Sequence, residues 1–289
     1  MLWTASVISA WVWALAPLLA FGFAGDRITR TCERLPIAVR LILPALFGVP
    51  YALAGSGWGR GNWLVIYFVL PVVIAVILWH ARQSDPEQRG SWRDFVILLI
   101  LGLAVDLRWF EPAWPAHLGP LSKLILLDSA IYGFLVVRQL TDVGFDLRLR
   151  GADIRTGLRE LLFYAPIAVP LGLALGFLEW RGHLPKPGSA ALAFVFTFFF
   201  IAIPEEIYFR GWLQNLLERR IGRGVSLWLT AAIFGLSHFN KRSAHFNWQY
   251  VLLATIAGLF YGRAWRRQRR VAASAITHTC VDAVWSLWL

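Results

Sequence analysis

The sequence is short of charge. Only 16% of its 289 residues are Asp, Glu, Lys or Arg, and 58% are hydrophobic. Soluble domains run at about 25% charged and about 45–50% apolar, so a soluble globular class is excluded. Cysteine is scarce too. Cys32 falls in a basic stretch and Cys280 inside the last apolar run, so neither a disulfide nor a cysteine metal cluster is expected. Period-two alternation is missing from the long apolar runs, which argues against a transmembrane barrel. No basic n-region precedes the apolar stretch at 2–24, so it reads as an uncleaved first span rather than a cleavable signal. There is no internal repeat and no low-complexity tract.

What remains is a series of apolar runs of roughly 17–22 residues, the length needed to cross a bilayer as a helix. Backbone groups in lipid must be satisfied within their own segment, so each run should be helical. The fold class is therefore all-α, a polytopic membrane helix bundle of about ten spans. The spans fall at 2–24, 37–54, 63–80, 92–110, 121–137, 160–180, 189–218, 225–239, 248–264 and 271–289. Pro44 and Pro50 should kink the second.

Acid is the scarcer charge, with 17 Asp and Glu against 28 Lys and Arg, for a net charge of +11. In a membrane protein this excess is a matter of topology, with the lipid bilayer as partner and no nucleic acid. Connections after the odd-numbered spans hold 19 basic residues and those after the even-numbered spans hold 6, namely Arg60, Arg108, Arg181, Lys186, Lys241 and Arg242. The positive-inside rule places the odd-span connections in the cytoplasm and both termini outside. The protein is thus a multi-pass integral membrane protein, of the inner membrane if the source is bacterial. Trp63, Trp92, Trp180, Trp248, Trp265 and Trp288 stand near span ends, where indole rings favour the headgroup region.

The chain divides into N-terminal accessory membrane helices at 1–140 and a functional core at 141–289. Between Asp146 and Leu158 charged residues alternate with Leu147, Leu149, Ile154 and Leu158, a pattern that predicts a short amphipathic helix on the anionic inner leaflet. Pro185-Lys186-Pro187-Gly188 reads as an outer turn entering the seventh span. Asp128 is an isolated carboxylate in the middle of the fifth span, without an assigned role.

Three polar sets interrupt the last spans. Glu205, Glu206 and Arg210 follow the apolar run 190–204, where each charge costs on the order of 2.5–3.5 kcal/mol or more. Glu206 and Arg210 are i,i+4 neighbours and can pair, which leaves Glu205 to face a cavity. Phe234 and His238 share a face of the eighth span. His278 and Asp282 share a face of the tenth, and a carboxylate there can fix the orientation of an imidazole. Together these are the parts needed to activate water. Glu205 would be the base, His238 would hold the water, and His278 with Asp282 would support an oxyanion. The same groups, Glu205, His238, His278 and Asp282, could instead ligate zinc. No His-Glu-x-x-His motif supports that alternative.

In this order the pattern Glu-Glu-x-x-x-Arg, Phe-x-x-x-His and His-x-x-x-Asp resembles the CPBP family of intramembrane proteases, which includes the CAAX-prenyl endopeptidases and the bacterial Abi proteins. Glu205, Glu206, Arg210 and Gly211 match the first motif, Phe234 and His238 the second, His278 and Asp282 the third. The likeness extends over about 158–289, and the Gly144-Phe145-Asp146-Leu147 loop looks familial as well. It implies a membrane-embedded catalytic core open to the cytoplasm. Glu205 and His238 would activate the water, and His278 and Asp282 would lie near the oxyanion. Eukaryotic members carry Asn where this chain has Asp282, so here the Asp must be protonated, orient His278 or ligate a metal.

The reading is an intramembrane endopeptidase acting on a membrane-associated or processed peptide substrate. It requires no cofactor in its glutamate form, and zinc is the alternative. Glu206, Arg210 and Phe234 would support the site. The rival classes are a proton-coupled transporter, which should show symmetry between halves, and a non-catalytic immunity or binding protein.

Overall fold

The computed structural model describes residues 4–56, 59–179, 186–241 and 245–288. Expectations that touch Leu2, Trp180, Arg181, Pro185, Arg242 and Leu289, and the headgroup placement of Trp288, lie outside the described residues. All regular structure among the described residues is helical. The chain falls into two compact units, Met1–Thr141 and Asp142–Leu289.

The first unit holds α1 (Ala5–Glu33), α2 (Ile37–Ala54), α3 (Arg60–Ser84), α4 (Trp92–Asp106) and α5 (Ala116–Val137). In α2 the helix tightens to 3-10 geometry over Leu43–Gly48 and resumes as an α-helix over Val49–Ala54. Pro44 and Pro50 stand in the opening turns of these two pieces, where a missing N–H costs least. Aromatic packing fills the unit's core. Tyr51 stacks on Tyr67 at 4.5 Å, and Trp114 Nε1 donates to the Tyr67 hydroxyl at 2.7 Å. Arg138 is fully buried, with its guanidinium shared between Asp85 at 2.6 Å and Asp94 at 2.9 Å. Asp94 also accepts from the Ser91 N–H in the capping box that starts α4. Asp128 is buried, and its Oδ1 has no hydrogen-bond partner.

The second unit holds α6 (Gly151–Ala174), α7 (Pro187–Ile221), α8 (Arg223–Leu236), α9 (Trp248–Gln268) and α10 (Val271–Trp288). Contacts along the helices fix their directions. Arg210 donates to Gly258 O at 3.0 Å, Gln214 to Gly262 O at 3.3 Å, and Arg266 to Glu218 at 2.6 Å, so α7 and α9 run parallel. Gln268 reaches Thr156 and Gln249 reaches Leu175 O, both at 2.8 Å, so α6 runs antiparallel to α9. α8 is antiparallel to α9 as well. A Cβ at Gly258 would lie 3.0 Å from the Ala231 backbone, so the close crossing of these two helices depends on the missing side chain.

Among the described residues six helices are long and apolar enough to cross a membrane: α1, α2, α3, α5, α6 and α7. That is fewer than the ten expected spans. α4 has only 15 residues and α8 only 14. α9 carries Arg263, Arg266 and Arg267, and α10 carries His278 and Asp282. These charges and polar groups lower the hydropathy of helices that length alone would admit.

Two other expectations change. The amphipathic segment is not a separate surface helix: Gly151 to Leu158 form the first turns of α6, and the residues before them are loop. Trp265 is not turned outward as a headgroup anchor would be. It is fully buried, and its Nε1 donates to Val143 O at 3.2 Å.

The 142–150 loop is tied to the start of α10. Gly144 adopts φ +72°, a left-handed conformation that favours glycine, and its carbonyl accepts from Val271 N at 2.9 Å. Arg270 donates to Asp153 at 2.9 Å, Asp146 at 2.9 Å and Arg148 O at 2.7 Å. Partial burial by itself would raise the Asp146 carboxyl. The hydrogen bonds from Arg148 and Arg270 outweigh it and hold the group well below its ordinary 3.8. A carboxyl depressed on folding stabilises the native state above its unfolded value and loses that contribution as pH falls. The detergent-solubilised protein should therefore lose thermal stability as pH drops below about 4. Asp146→Asn should be less stable at neutral pH and show a flatter acid dependence, measured as melting temperature against pH.

Candidate active site

The site is built on an irregular stretch of α7. Two wide π-helical turns, Phe198–Ala202 and Ile207–Gln214, flank a single α-turn at Ile203–Glu206. Pro204 has no N–H to donate, so the regular ladder is interrupted here. Such bulges re-aim side chains and recur at functional sites. Glu205 and Glu206 stand on the α-turn between the two.

Glu206 is fully buried and fully engaged. Its Oε1 accepts from Arg210 Nη1 at 2.9 Å and from His278 Nδ1 at 2.8 Å, and its Oε2 accepts from Ser274 Oγ. Arg210 is equally buried. Besides Glu206 and Gly258 O it meets the faces of Phe234 at 4.6 Å and Tyr261 at 5.3 Å, which favour a desolvated guanidinium. The pairing expected from sequence spacing is thus present, and it extends to α10.

Glu205 differs from its neighbour. Its side chain is 26% exposed, and its Oε2 has no hydrogen-bond partner. Lys241 Nζ approaches Oε1 at 3.8 Å and His278 Nε2 approaches Oε2 at 3.9 Å, both beyond direct hydrogen bonding.

His278 lies flat on Tyr261, with centroids 4.6 Å apart and planes at 15°. Its Nε2 is 3.5 Å from Asp282 Oδ2. The spacing in α10 suggested that Asp282 stands behind His278. The carboxylate that holds Nδ1 is instead Glu206, and Asp282 shares the Nε2 side with Glu205.

His238 sits just past the end of α8. Its Nδ1 lies 2.8 Å from Phe234 O. A carbonyl only accepts, so Nδ1 carries the hydrogen and the neutral ring presents the Nε2 lone pair. The ring packs between Phe234 at 4.9 Å and Tyr250 at 4.7 Å.

Ser274, Tyr261 and Lys241 were not picked out from the sequence as site residues. Ser274 precedes His278 by four residues, so the helical period alone places it on the same face. Lys241 follows His238 by three residues but reads as an ordinary loop charge. Tyr261 has no sequence signal.

Glu205, His238, His278 and Asp282 were also the candidate zinc ligands. Among the described residues no three His, Cys, Asp or Glu side chains converge as a metal-binding group. The nearest approach to one is His278 Nε2 between two carboxylates, with the other ring nitrogen committed to Glu206.

Residues 187–284 match the family model described as Rce1-like, type II CAAX prenyl endopeptidase. The match covers about a third of the chain, includes Glu205, His238, His278 and Asp282, and supports membership of the CPBP family. No curated protein and no solved structure matches the chain.

Glu206 and Glu205 should part company on mutation. Glu206→Ala leaves Arg210 as an uncompensated buried charge, which costs about 3–5 kcal/mol. It should markedly lower the melting temperature in detergent, while Glu205→Ala leaves that temperature close to wild type.

Proposed function

We propose that this CPBP-type protein is a membrane-embedded endopeptidase that hydrolyses a peptide bond with a water activated by Glu205 and His238. One observation carries this reading. Of two adjacent glutamates, one is saturated with partners and the other keeps an unpartnered oxygen facing His278 Nε2. Glu205 is also the accessible one of the two, with 26% of its side chain exposed against none for Glu206.

The steps follow from the hydrogen-bonding state of each group. Glu205 accepts one proton of the water and His238 Nε2 accepts a hydrogen bond from the other. The hydroxide oxygen adds to the scissile carbonyl carbon, and the carbonyl π pair moves to oxygen. His278 Nε2 donates to that oxyanion. Its Nδ1–H is already given to Glu206, so donation from Nε2 requires the imidazolium, for which Glu206 and Asp282 are the counter-charges. Asp282 thereby serves without itself donating. The C–N bond then breaks, and Glu205 passes its proton to the departing amine. The π-helical turns of α7 aim one glutamate at each task.

The glutamate form is preferred over the zinc form because the donors do not converge as a ligand set. If zinc were bound, Glu205, His238, His278 and Asp282 would have to re-aim toward it, and it would supply Lewis-acid chemistry.

The test is cleavage of a quenched-fluorescent peptide library by the purified protein in lipid. Glu205→Ala and His238→Ala should each lower turnover by about 10²–10⁴-fold with the fold intact. A chelator should leave wild-type turnover unchanged. Full activity in Glu205→Ala would overturn the reading, and loss of activity in chelator with recovery on adding zinc would favour the metal form.

A further inference from the structure

α6 and α9 run antiparallel, and each brings arginines to the groove between them. On α6, Arg155 and Arg159 are i,i+4 neighbours, and on α9 so are Arg263 and Arg267. Side chains at that spacing share a face. The Gln268–Thr156 hydrogen bond and an ion pair from Arg263 Nε to Glu160 Oε2 at 3.1 Å bring the two rows level. Arg159 Nη2 donates to the other oxygen of Glu160 at 2.7 Å. Glu160 is buried beneath them, whereas the Arg159 and Arg263 side chains are 36% and 44% exposed. Phe163 stands one turn deeper, with its ring 5.6 Å from the Arg159 guanidinium and 5.7 Å from that of Arg263. Phe260 lies against Arg263 as well, at 5.1 Å. Two guanidiniums are thus held together on one carboxylate and one ring, while part of each stays accessible.

Charge in this groove is not balanced. Arg155 and Arg267, one turn further out, are exposed, so four guanidiniums gather round one carboxylate. The neighbouring acids are engaged elsewhere, Asp153 with Arg270 and Glu218 with Arg266 and Arg269. The arginine fork matches the oxygens of a phosphate, and a fork already positioned loses less freedom on binding. With depth the row on α6 changes character. After Arg155 and Arg159 it continues as Phe163 and Ile167, at steps of about 6 Å, and the row beside it is Ile154, Leu158 and Leu162. All five apolar side chains are exposed, on a helix long and apolar enough to cross a membrane. The groove is cationic at its outer end and apolar further in. Headgroup and acyl chain follow the same order in a phospholipid.

We propose that the α6–α9 groove binds one anionic phospholipid. Arg159 and Arg263 hold its phosphate, Arg155 and Arg267 attract the headgroup, and an acyl chain lies along Phe163 and Ile167. Basic pockets between membrane helices recognise anionic headgroups by this chemistry. A zwitterionic lipid brings a cation of its own to a site where cations are in excess, and inorganic phosphate leaves the apolar row uncovered. A lipid held by arginines of both helices also joins α6 to α9, so its binding raises the stability of the folded protein.

The test uses the full-length protein in a neutral detergent. Phosphatidylglycerol, phosphatidylcholine with the same acyl chains, and inorganic phosphate are added separately at equal concentration. Phosphatidylglycerol should raise the melting temperature and stay bound to the protein in native mass spectrometry. Phosphatidylcholine should be retained about tenfold less, and phosphate should leave the melting temperature unchanged. No retention of phosphatidylglycerol, equal retention of phosphatidylcholine, or an equal shift with phosphate overturns the proposal. The place is read with Arg159→Gln/Glu160→Gln/Arg263→Gln, which removes the carboxylate together with its arginines and leaves no unpaired charge beneath them. Retention of phosphatidylglycerol should fall about tenfold or more. Arg220→Gln/Arg223→Gln removes more net charge near the same end of α9, where Arg223 O accepts from Arg266, and should retain the lipid as the wild type does. Wild-type retention by the triple variant, or an equal loss in the Arg220/Arg223 variant, overturns the proposal. If the triple variant does not fold, the exposed pair decides: Arg155→Gln/Arg267→Gln should lose retention several-fold, and wild-type retention there overturns the proposal.

Discussion

The second unit is organised around one buried carboxylate. Glu206 receives a guanidinium from its own helix and an imidazole and a hydroxyl from α10, while Arg210 carries the connection on to α9 through Gly258 O. A charged pair in an apolar interior is tolerated only when nearly every donor and acceptor is used. Here the requirement fixes three helices at once. It sets the height of α7 against α9, presents His278 at one angle and leaves Glu205 on the adjacent position with one oxygen free of hydrogen bonds. The reactive geometry is therefore a by-product of satisfying the neighbour.

The aromatic residues make this possible. Phe234 and Tyr261 cover Arg210 with π faces, and Tyr261 also supports the His278 ring. They exclude water without offering competing acceptors. The close crossing of Gly258 and Ala231 lets α8 and α9 approach near enough for Phe234 and Tyr261 to meet, at 5.7 Å. The small residues of the packing seam and the large ones around the charge are two parts of one arrangement. Loss of either would leave the guanidinium half-solvated.

Much of this was legible in the chain because helical geometry is regular. Spacing of four paired Glu206 with Arg210, put His278 beside Asp282 and placed Phe234 beneath His238. What was not legible arose where that regularity fails or where partners come from other helices. The π-helical turns depend on tertiary packing around Pro204, and no periodicity announces them. The exchange of roles between Glu206 and Asp282 at the two nitrogens of His278 is a matter of how α10 is rotated against α7. Trp265 reads as an interfacial tryptophan from its place near a span end, yet its indole N–H finds Val143 O and the ring is enclosed. The segment after Asp146 looked amphipathic because alternating Arg and Leu suit a surface helix. Its arginines instead frame Asp146, and the helix that begins at Gly151 runs on into α6.

The same chemistry explains why the span count is hard to read. Hydropathy identifies helices whose surroundings are lipid or apolar core. α9 and α10 have other obligations: α10 carries Ser274, His278 and Asp282 on one side, and α9 ends in the arginines that meet Glu218. Every polar residue added to build the site subtracts from the signal that marks a helix as membrane-embedded. These helices must gain their place by packing against α6, α7 and α8 rather than by partitioning alone. α10 shows this effect, whereas α7 is long enough to carry Glu205, Glu206 and Arg210 and still count among the six. In this chain α10, which bears His278 and Asp282, falls outside the six that length and apolarity identify, and α8, which leads into His238, falls outside them by length alone.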